Sequence, residues 1–395
     1  MSSDLNVKFF CFMKKSNIII TSAVALVVVA LTFSFFISGQ ETNKEDSETI
    51  SVGASLPLSG SLSLFGIGER KGLELAAEKW NAGGNSFNLD LFFEDSKGQA
   101  SIGVSAARKL LSSNDCDFIF TSLTPVSQAV SPVVIESGAR QVIIAMDETL
   151  ARESNRVYRI YPGIRGEGKK MTEILKASGA RRPAIYSFQH PAFDASLNDV
   201  LIPYLNSHFP ESHLVSQYTE FESSEIAAGA AKLVGWEPDI IIINGFYSHL
   251  PSIVRSIKEA GLNDSVPLLG GLNLSICLSN GELAGYSDQQ FLYAMPLYIY
   301  KQLSGELLTP QQKYFEDRFV EVYGEAATYE SAFAYDALLF IANILEDGGI
   351  DRFEETASNF DFIGAVGKLE FDEYGSVITE WESVSSKAGT VSIIE

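Results

Sequence analysis

From residue 50 onward, short runs of β-branched and aromatic residues alternate with segments whose apolar positions recur every three or four residues. The runs ISVGASL, NLDLFFED, DFIFTS (117–122), QVIIAM (141–146), RPAIYSF (182–188), DIIIING (239–245) and VPLLGG (266–271) predict strands. Between them, residues 69–80 place Leu73, Ala76, Ala77 and Trp80 on one helical face. The sets Ile102, Ala106, Leu110 and Ile253, Ile257, Ala260 do the same. Strand, helix and strand at this spacing imply βαβ units and a parallel sheet, an α/β fold.

Two such series can be separated, one from residue 50 to about 161 and one from 182 to about 295. VYRIYPGIRGEG lies between them, and Pro162-Gly163 breaks its strand pattern, as a crossover between lobes would. Two helices follow, over 309–324 with Pro310 suited to a first helical position, and over 328–349, ended by Gly348-Gly349. Residues 367–384 predict a β-hairpin around 372–375, and no repeat of solenoid period occurs. A length of 395 residues favours two lobes over one core.

The first forty residues differ in kind. Lys8, Lys14 and Lys15 precede residues 18–37, which only Thr21, Ser22, Thr32 and Ser34 interrupt. As a helix that run reaches roughly 30 Å, enough to cross a bilayer core. It predicts an uncleaved membrane anchor or a cleaved signal peptide, and either exports the remainder. Residues 41–49 read as a polar linker.

The formal net charge is −21, and residues 1–40 hold three lysines and one aspartate, so the exported part carries −23. That field excludes nucleic acid and anionic lipid as partners. No cysteine follows the apolar run within the linker, which closes the route of lipid attachment there. Cys116, at a strand start, and Cys277, in an expected loop, are expected to be buried free thiols.

In an open parallel sheet, ligands gather beyond the carboxyl ends of the strands. The loops there read LPLSGSLSLFG, TSLTPVSQ, AMDET, SFQHPAFD, NGFYSH and GGLNLS. Hydroxyls, glycines and aromatics dominate them, which suits a small polar ligand. Thr124, followed by Pro125, is expected to be a helix N-cap whose hydroxyl and helix terminus favour a carboxylate.

GASLPLSGSLSLFGIGERKGLELAAEKWNAGG, FFEDSKGQASIGVSAARKLL and NGFYSHLPSIVRSIKEAGL resemble the matching blocks of the leucine/isoleucine/valine-binding family, solute-binding proteins of ABC importers with the type I periplasmic fold. The resemblance runs from residue 50 to the C-terminus. It implies two Rossmann-like lobes joined by three crossovers, with 50–163 and 296–379 in the first and 164–295 and 380–395 in the second. It also implies partnership with importer membrane subunits and needs no cofactor. By resemblance, the first-lobe hydroxyls that hold a carboxylate fall on Thr124 and Thr149, and a first-loop aromatic on Phe65, beside Ser59. The second-lobe aromatics fall on Phe193 and Phe246, where tyrosines are more usual. The acid that meets an amino acid's ammonium falls near Leu272 in GGLNLS, where there is no carboxylate. Asp147 stands where the family has a small residue, so it is a candidate replacement, with a local Asx-turn as the alternative. Glu148 is expected to face solvent.

Enzymatic readings find little support. His190, His208, His213 and His249 form no metal-ligand spacing, and no GxSxG elbow occurs. The near phosphate loop at 163–169 has Lys170 where a serine or threonine is needed. Glu94 and Asp95 end a strand, where a helix-capping or hinge role is expected. The expectation is therefore a two-lobed extracytoplasmic solute-binding protein for a small polar or carboxylate-bearing ligand, amino-acid-like or an organic acid. The alternative is a sensor ectodomain of the same fold.

Overall fold

The computed structural model describes residues 48–219, 223–306, 309–388 and 390–394. The apolar run at 18–37 lies outside them; among the described residues no helix is long and apolar enough to cross a membrane. Residues 49–395 form a compact unit.

Its first sheet has the order β2-β1-β3-β4-β5. The strands are β1 (Glu48–Leu56), β2 (Phe87–Asp95), β3 (Phe118–Ser122), β4 (Arg140–Ile144) and β5 (Val157–Arg159). β1, β3, β4 and β5 pair in parallel, with Val52 opposite Phe118 and Phe118 opposite Arg140. Every residue of β3 and β4 is buried, because helices cover both faces of a parallel sheet.

The second sheet has the order β15-β14-β10-β9-β8-β6-β7. It is built from β6 (Pro183–Phe188), β7 (Leu214–Tyr218), β8 (Ile240–Asn244), β9 (Leu268–Gly270), β10 (Phe291–Pro296), β14 (Trp381–Lys387) and β15 (Thr390–Ile393). From β7 to β10 the pairs are parallel, and β14 and β15 are antiparallel additions. β7 is not among the strand runs read from sequence, since Ser216 and Gln217 dilute the apolar signal of this edge strand. A small antiparallel sheet of β11 (Phe362–Gly364), β12 (Gly367–Phe371) and β13 (Val377–Ile378) contains the predicted hairpin.

Both main sheets reverse strand order between a first strand and the strand two places on, β1/β3 and β6/β8. These are the switch points where ligands bind in doubly wound sheets. The loops after β1, β3, β6 and β8 therefore converge between the lobes.

The predicted helices form, with two differences. The helix after β1 starts at Ser63 and runs to Ala82, so Phe65 is helical and the loop is shorter than expected. Cys277 lies in the helix Leu272–Ser279, not in a loop; both it and Cys116 are buried free thiols. The C-terminal helix Tyr329–Gly348 packs on Ser63–Ala82 so closely that a Cβ on Gly72 would sit 2.1 Å from the Ser331 carbonyl oxygen.

Arg159 ties the hinge together. Its side chain has no exposed surface and is expected, at the low dielectric of that site, to need every donor matched. Nε donates to Ser376 Oγ at 2.7 Å, Nη1 to the carbonyls of Ala145 and Tyr161, and Nη2 to that of Val377. Burial brings its pKa down to about 10, with Glu148, Asp372 and Asp147 opposing, so it stays cationic at neutral pH.

Candidate functional site

A cavity of about 50 Å³ lies between the switch points. This is room on the order of a few water molecules. The first lobe contributes Phe65 and Glu69 from the helix Ser63–Ala82, Ser122 to Thr124 at the end of β3, Ile144 to Met146 at the end of β4, and Tyr161 and Tyr329. The second contributes Ala192, Phe246, Leu272 and Asn273. Phe65 and Tyr329 also line a wider groove of about 720 Å³ with Tyr247 and Glu330. An equally large groove around Arg152, Glu354, Asn359 and Tyr374 is confined to the first lobe and takes no part in the cleft.

Leu123 turns the chain from β3 into the cavity wall. It holds φ 69°, a conformation uncommon outside glycine, and its N–H donates to the Ile144 carbonyl. The helix that follows is Thr124–Ser137, so Thr124 is its first residue and Leu123 the cap position. The expected N-cap role of Thr124 is thus corrected; its buried side chain lines the cavity instead.

Glu69 is the charged residue of this wall, at 2% exposure. Ser122 Oγ donates to its Oε1 at 2.7 Å, while Oε2 is buried with no hydrogen-bond partner. Burial pushes its carboxyl up to about 8, the Ser122 bond opposes this, and the neighbouring Glu330 adds to it. Glu330, bonded to Tyr329 and Thr328, is raised to about 7 by burial. Tyr329 also bonds to Tyr161, so two phenols and the Glu330 carboxyl form one buried polar network, with which Glu69 interacts by charge alone.

Across the cleft, the Phe65 and Tyr247 rings meet edge to face at 5.6 Å, a contact between the lobes. The Tyr247 N–H donates to Asn273 Oδ1 at 3.0 Å, fixing the loop after β8. Phe246 lines the cavity, and Phe193 packs beneath it at 5.1 Å.

Of the eight residues singled out in the sequence, Phe65, Thr124, Phe246 and Leu272 come together around the cavity, and the other four do not line it. Ser59 is exposed and donates to Asp95 at 2.5 Å. Asp95 also accepts from the N–H groups of Leu58 and Lys97, so it holds the loops and does not cap a helix as expected; Glu94 pairs with Lys109. Thr149 donates its N–H and hydroxyl to Asp147 Oδ1, and Arg165 Nη1 reaches the same oxygen at 3.0 Å. Asp147 is therefore the Asx-type cap of a short helical turn and half of a hinge ion pair. Burial would raise its carboxyl, but these bonds hold it below its ordinary value.

Glu148 is not solvent-facing as expected. Its carboxylate accepts from the N–H groups of Arg165 and Gly166 and from the Arg165 guanidinium, capping the helix Ile164–Ala177. It thereby fills the anion position that the sequence at 163–169 would have offered a phosphate. His190 and His249 do not line the cavity; they lie in an aromatic cluster with Phe188, Tyr218 and the cavity-lining Phe246. Burial brings His249 down to about 4, with His190 adding, so it is neutral. Among the described residues no cluster of His, Cys, Asp and Glu could hold a metal ion.

Sequence reasoning missed Glu69, Ser122, Tyr161, Tyr329 and Asn273. For Glu69 a signal existed: it stands four residues after Phe65 and four before Leu73, a carboxylate in register with a buried helical face.

A family model described as periplasmic binding protein matches residues 49–387. Over 232 residues the chain is 25% identical to the Leu/Ile/Val-binding protein homolog 3 of Brucella melitensis, a match that spans 57% of this chain and 62% of that protein. Solved structures of like fold include the branched-chain amino acid transporter substrate binding protein LivJ of Streptococcus pneumoniae, in complex with isoleucine. It is 18% identical, with a TM-score of 0.73 over 88% of this chain and 99% of its own. Another is a solute binding protein of R. palustris in complex with benzoate, 15% identical, with a TM-score of 0.70 over 88% of this chain and 95% of its own. At these identities the likeness carries the fold, two α/β lobes of the type I periplasmic kind.

Proposed function

We propose, on the premise that this chain belongs to the periplasmic binding protein family, that it is an extracytoplasmic solute-binding protein for an ABC importer. Its cargo on this reading is a small polar or carboxylate-bearing molecule, amino-acid-like or an organic acid. Fold and family are those of a binding protein and not of an enzyme. The lobe boundaries we assign are 50–163 with 296–379, and 164–295 with 380–395.

One observation carries the reading: the cavity takes walls from both lobes at their switch points. A ligand there touches both lobes only when they are closed, so binding shifts the population toward the closed form. The importer then has a shape to recognise. Ser122, Thr124, Tyr161 and Asn273 offer polar groups to the ligand, and Phe65, Phe246 and Leu272 an apolar surround. Ser59, Asp147, Thr149 and Phe193 act behind this layer, by holding the loops.

Thermal unfolding of the purified chain against amino acids, small amides and aliphatic or aromatic carboxylates tests the reading. One chemical class should raise the midpoint, since a ligand at 100 times Kd adds about 2.7 kcal/mol. A flat response to the whole panel would remove the binding assignment.

A further inference from the structure

We propose that Glu69 receives a protonated amine of the ligand on the first lobe, and that capture is coupled to loss of a proton from Glu69. The inference rests on the solute-binding reading and specifies the chemistry of that site.

The geometry carries it. Glu69 Oε2 is the one carboxylate oxygen among the described residues that is buried without a hydrogen-bond partner, and Glu69 lines the cavity. A buried acceptor left unpaired is costly, so such a group is retained where something else supplies the donor. No lysine, arginine or histidine lines the cavity, so the protein does not supply a cation there. Glu330, a second buried carboxyl, adds negative potential behind Glu69. A ligand with a cationic donor matches this wall; an ionised carboxylate brings no donor to Oε2.

The second lobe makes no competing offer. At Leu272, where an acid would be expected by resemblance, the backbone N–H is already bonded to Glu167 Oε2 at 2.8 Å. Asp147 is bound to Arg165 and Thr149. The remaining titratable groups around Glu69 are Glu330, Tyr161, Tyr329 and Glu167, none of them cationic.

The coupling follows from burial. With the cavity empty, the Glu69 carboxyl is raised to about 8 and is mainly protonated at pH 7. An ammonium stabilises the carboxylate, so Glu69–COOH gives its proton to solvent as the ion pair forms. Affinity for an amine should therefore rise by up to about tenfold per pH unit below 8. It levels off above that, until the amine itself loses its proton.

Calorimetric titration of the purified full chain tests this, with glycine, alanine, valine and isoleucine against acetate, propionate, isovalerate, 3-methylpentanoate and benzoate. An amino acid should bind more tightly than its deaminated partner. Its heat in buffers of different ionisation enthalpy should report release of about one proton at pH 7. Glu69→Gln should abolish the release and weaken the amino acid by about 30- to 100-fold, with the matched acid changed by less than about threefold. Ser122→Ala keeps the carboxyl but removes its donor, so it should move the pH profile upward even if Glu69→Gln does not fold. If only the deaminated acids bind, or if Glu69→Gln leaves amine affinity intact, the solute-binding reading stands and this inference is overturned. If no member binds, both fall.

Discussion

The backbone N–H of Leu272 donates to the Glu167 carboxylate at 2.8 Å, and both residues are buried. A side chain from the helix Ile164–Ala177 thus closes the N-terminus of the helix Leu272–Ser279. Gly271 is required between them, because a Cβ there would lie 2.1 Å from the Glu167 carboxyl carbon.

That buried carboxyl has a consequence for stability against pH. Burial pushes Glu167 up to about 7, as it does Glu330 and Asp336, and Glu69 up to about 8. In the unfolded chain such groups titrate near about 4. Between the two values the folded state binds more protons than the unfolded state. Their contribution is therefore complete below the unfolded pKa and is lost as pH rises through 7 to 8. Asp95 and Asp147, held low by hydrogen bonds, act in the opposite direction and are lost only in acid. The unfolding midpoint should be higher at pH 5.5 than at pH 8, and Glu167→Gln should flatten part of that slope. Scanning calorimetry at the two pH values decides it, and an equal or higher midpoint at pH 8 rejects the account.

The fold was largely legible because parallel strands are buried on both faces and so read as unbroken apolar runs, as in DIIIING and DFIFTS. The site was legible only in part. Thr124, Phe246 and Leu272 sit just after strand ends, where topology alone points into the cleft, and Phe65 lies in the first turn of the helix that follows β1. For Asp147 the local Asx-turn reading holds, because Thr149 lies two residues on in the same loop, whereas Arg165, its other partner, comes from a separate helix and is not written in that loop. Glu69 was overlooked because it lies on a helix face, away from the loops where binding residues are usually sought.

Arg159 should be a strong determinant of stability. Replacing it with leucine removes the donors to the carbonyls of Ala145, Tyr161 and Val377, all in a buried hinge. Each orphaned carbonyl costs about 1–3 kcal/mol. A loss of at least about 3 kcal/mol is expected, and Arg159→Lys should recover part of it, having fewer donors and no fork. Urea unfolding measures both; a leucine variant within about 0.5 kcal/mol of wild type would contradict the assignment.

Gly72 should tolerate no side chain. The atom in the way is the Ser331 backbone oxygen, which cannot rotate aside as a side chain would. Gly72→Ala forces the helices Ser63–Ala82 and Tyr329–Gly348 apart and should cost about 1–3 kcal/mol, despite alanine's better helix propensity. Gly84, with φ 70° and open space around its Cβ position, is a contrasting site where only backbone strain applies. Denaturation midpoints should rank Gly72→Ala well below Gly84→Ala.

The two thiols should be silent in the native state. Burial pushes Cys116 up to about 12, with Asp117 and Asp115 adding, and burial also raises Cys277, with Glu282 adding. Little thiolate forms at pH 8, and access is closed as well. In a Cys11→Ser background, an aromatic disulfide reagent should titrate neither thiol natively and both after denaturation. Rapid native labelling would show that the lobes open far enough to expose one of them.

The contact between Phe65 and Tyr247 should bias the lobes toward closure. Phe65 belongs to the first lobe and Tyr247 follows β8 in the second, so their 5.6 Å edge-to-face contact exists only while the lobes are together. Such a pair is worth about 0.5–1.5 kcal/mol beyond the area it buries, a factor of roughly two to twelve in the ratio of closed to open molecules. Phe65→Ala should therefore raise the radius of gyration of the ligand-free protein in solution scattering, with little change in its unfolding midpoint. Tyr247→Ala should match it, and the double variant should add little, since the contact is lost with either ring. Scattering curves that superimpose on wild type for both single variants would mean that closure is held elsewhere, with the hinge ion pairs of Arg165 to Asp147 and Glu148 next to be tested.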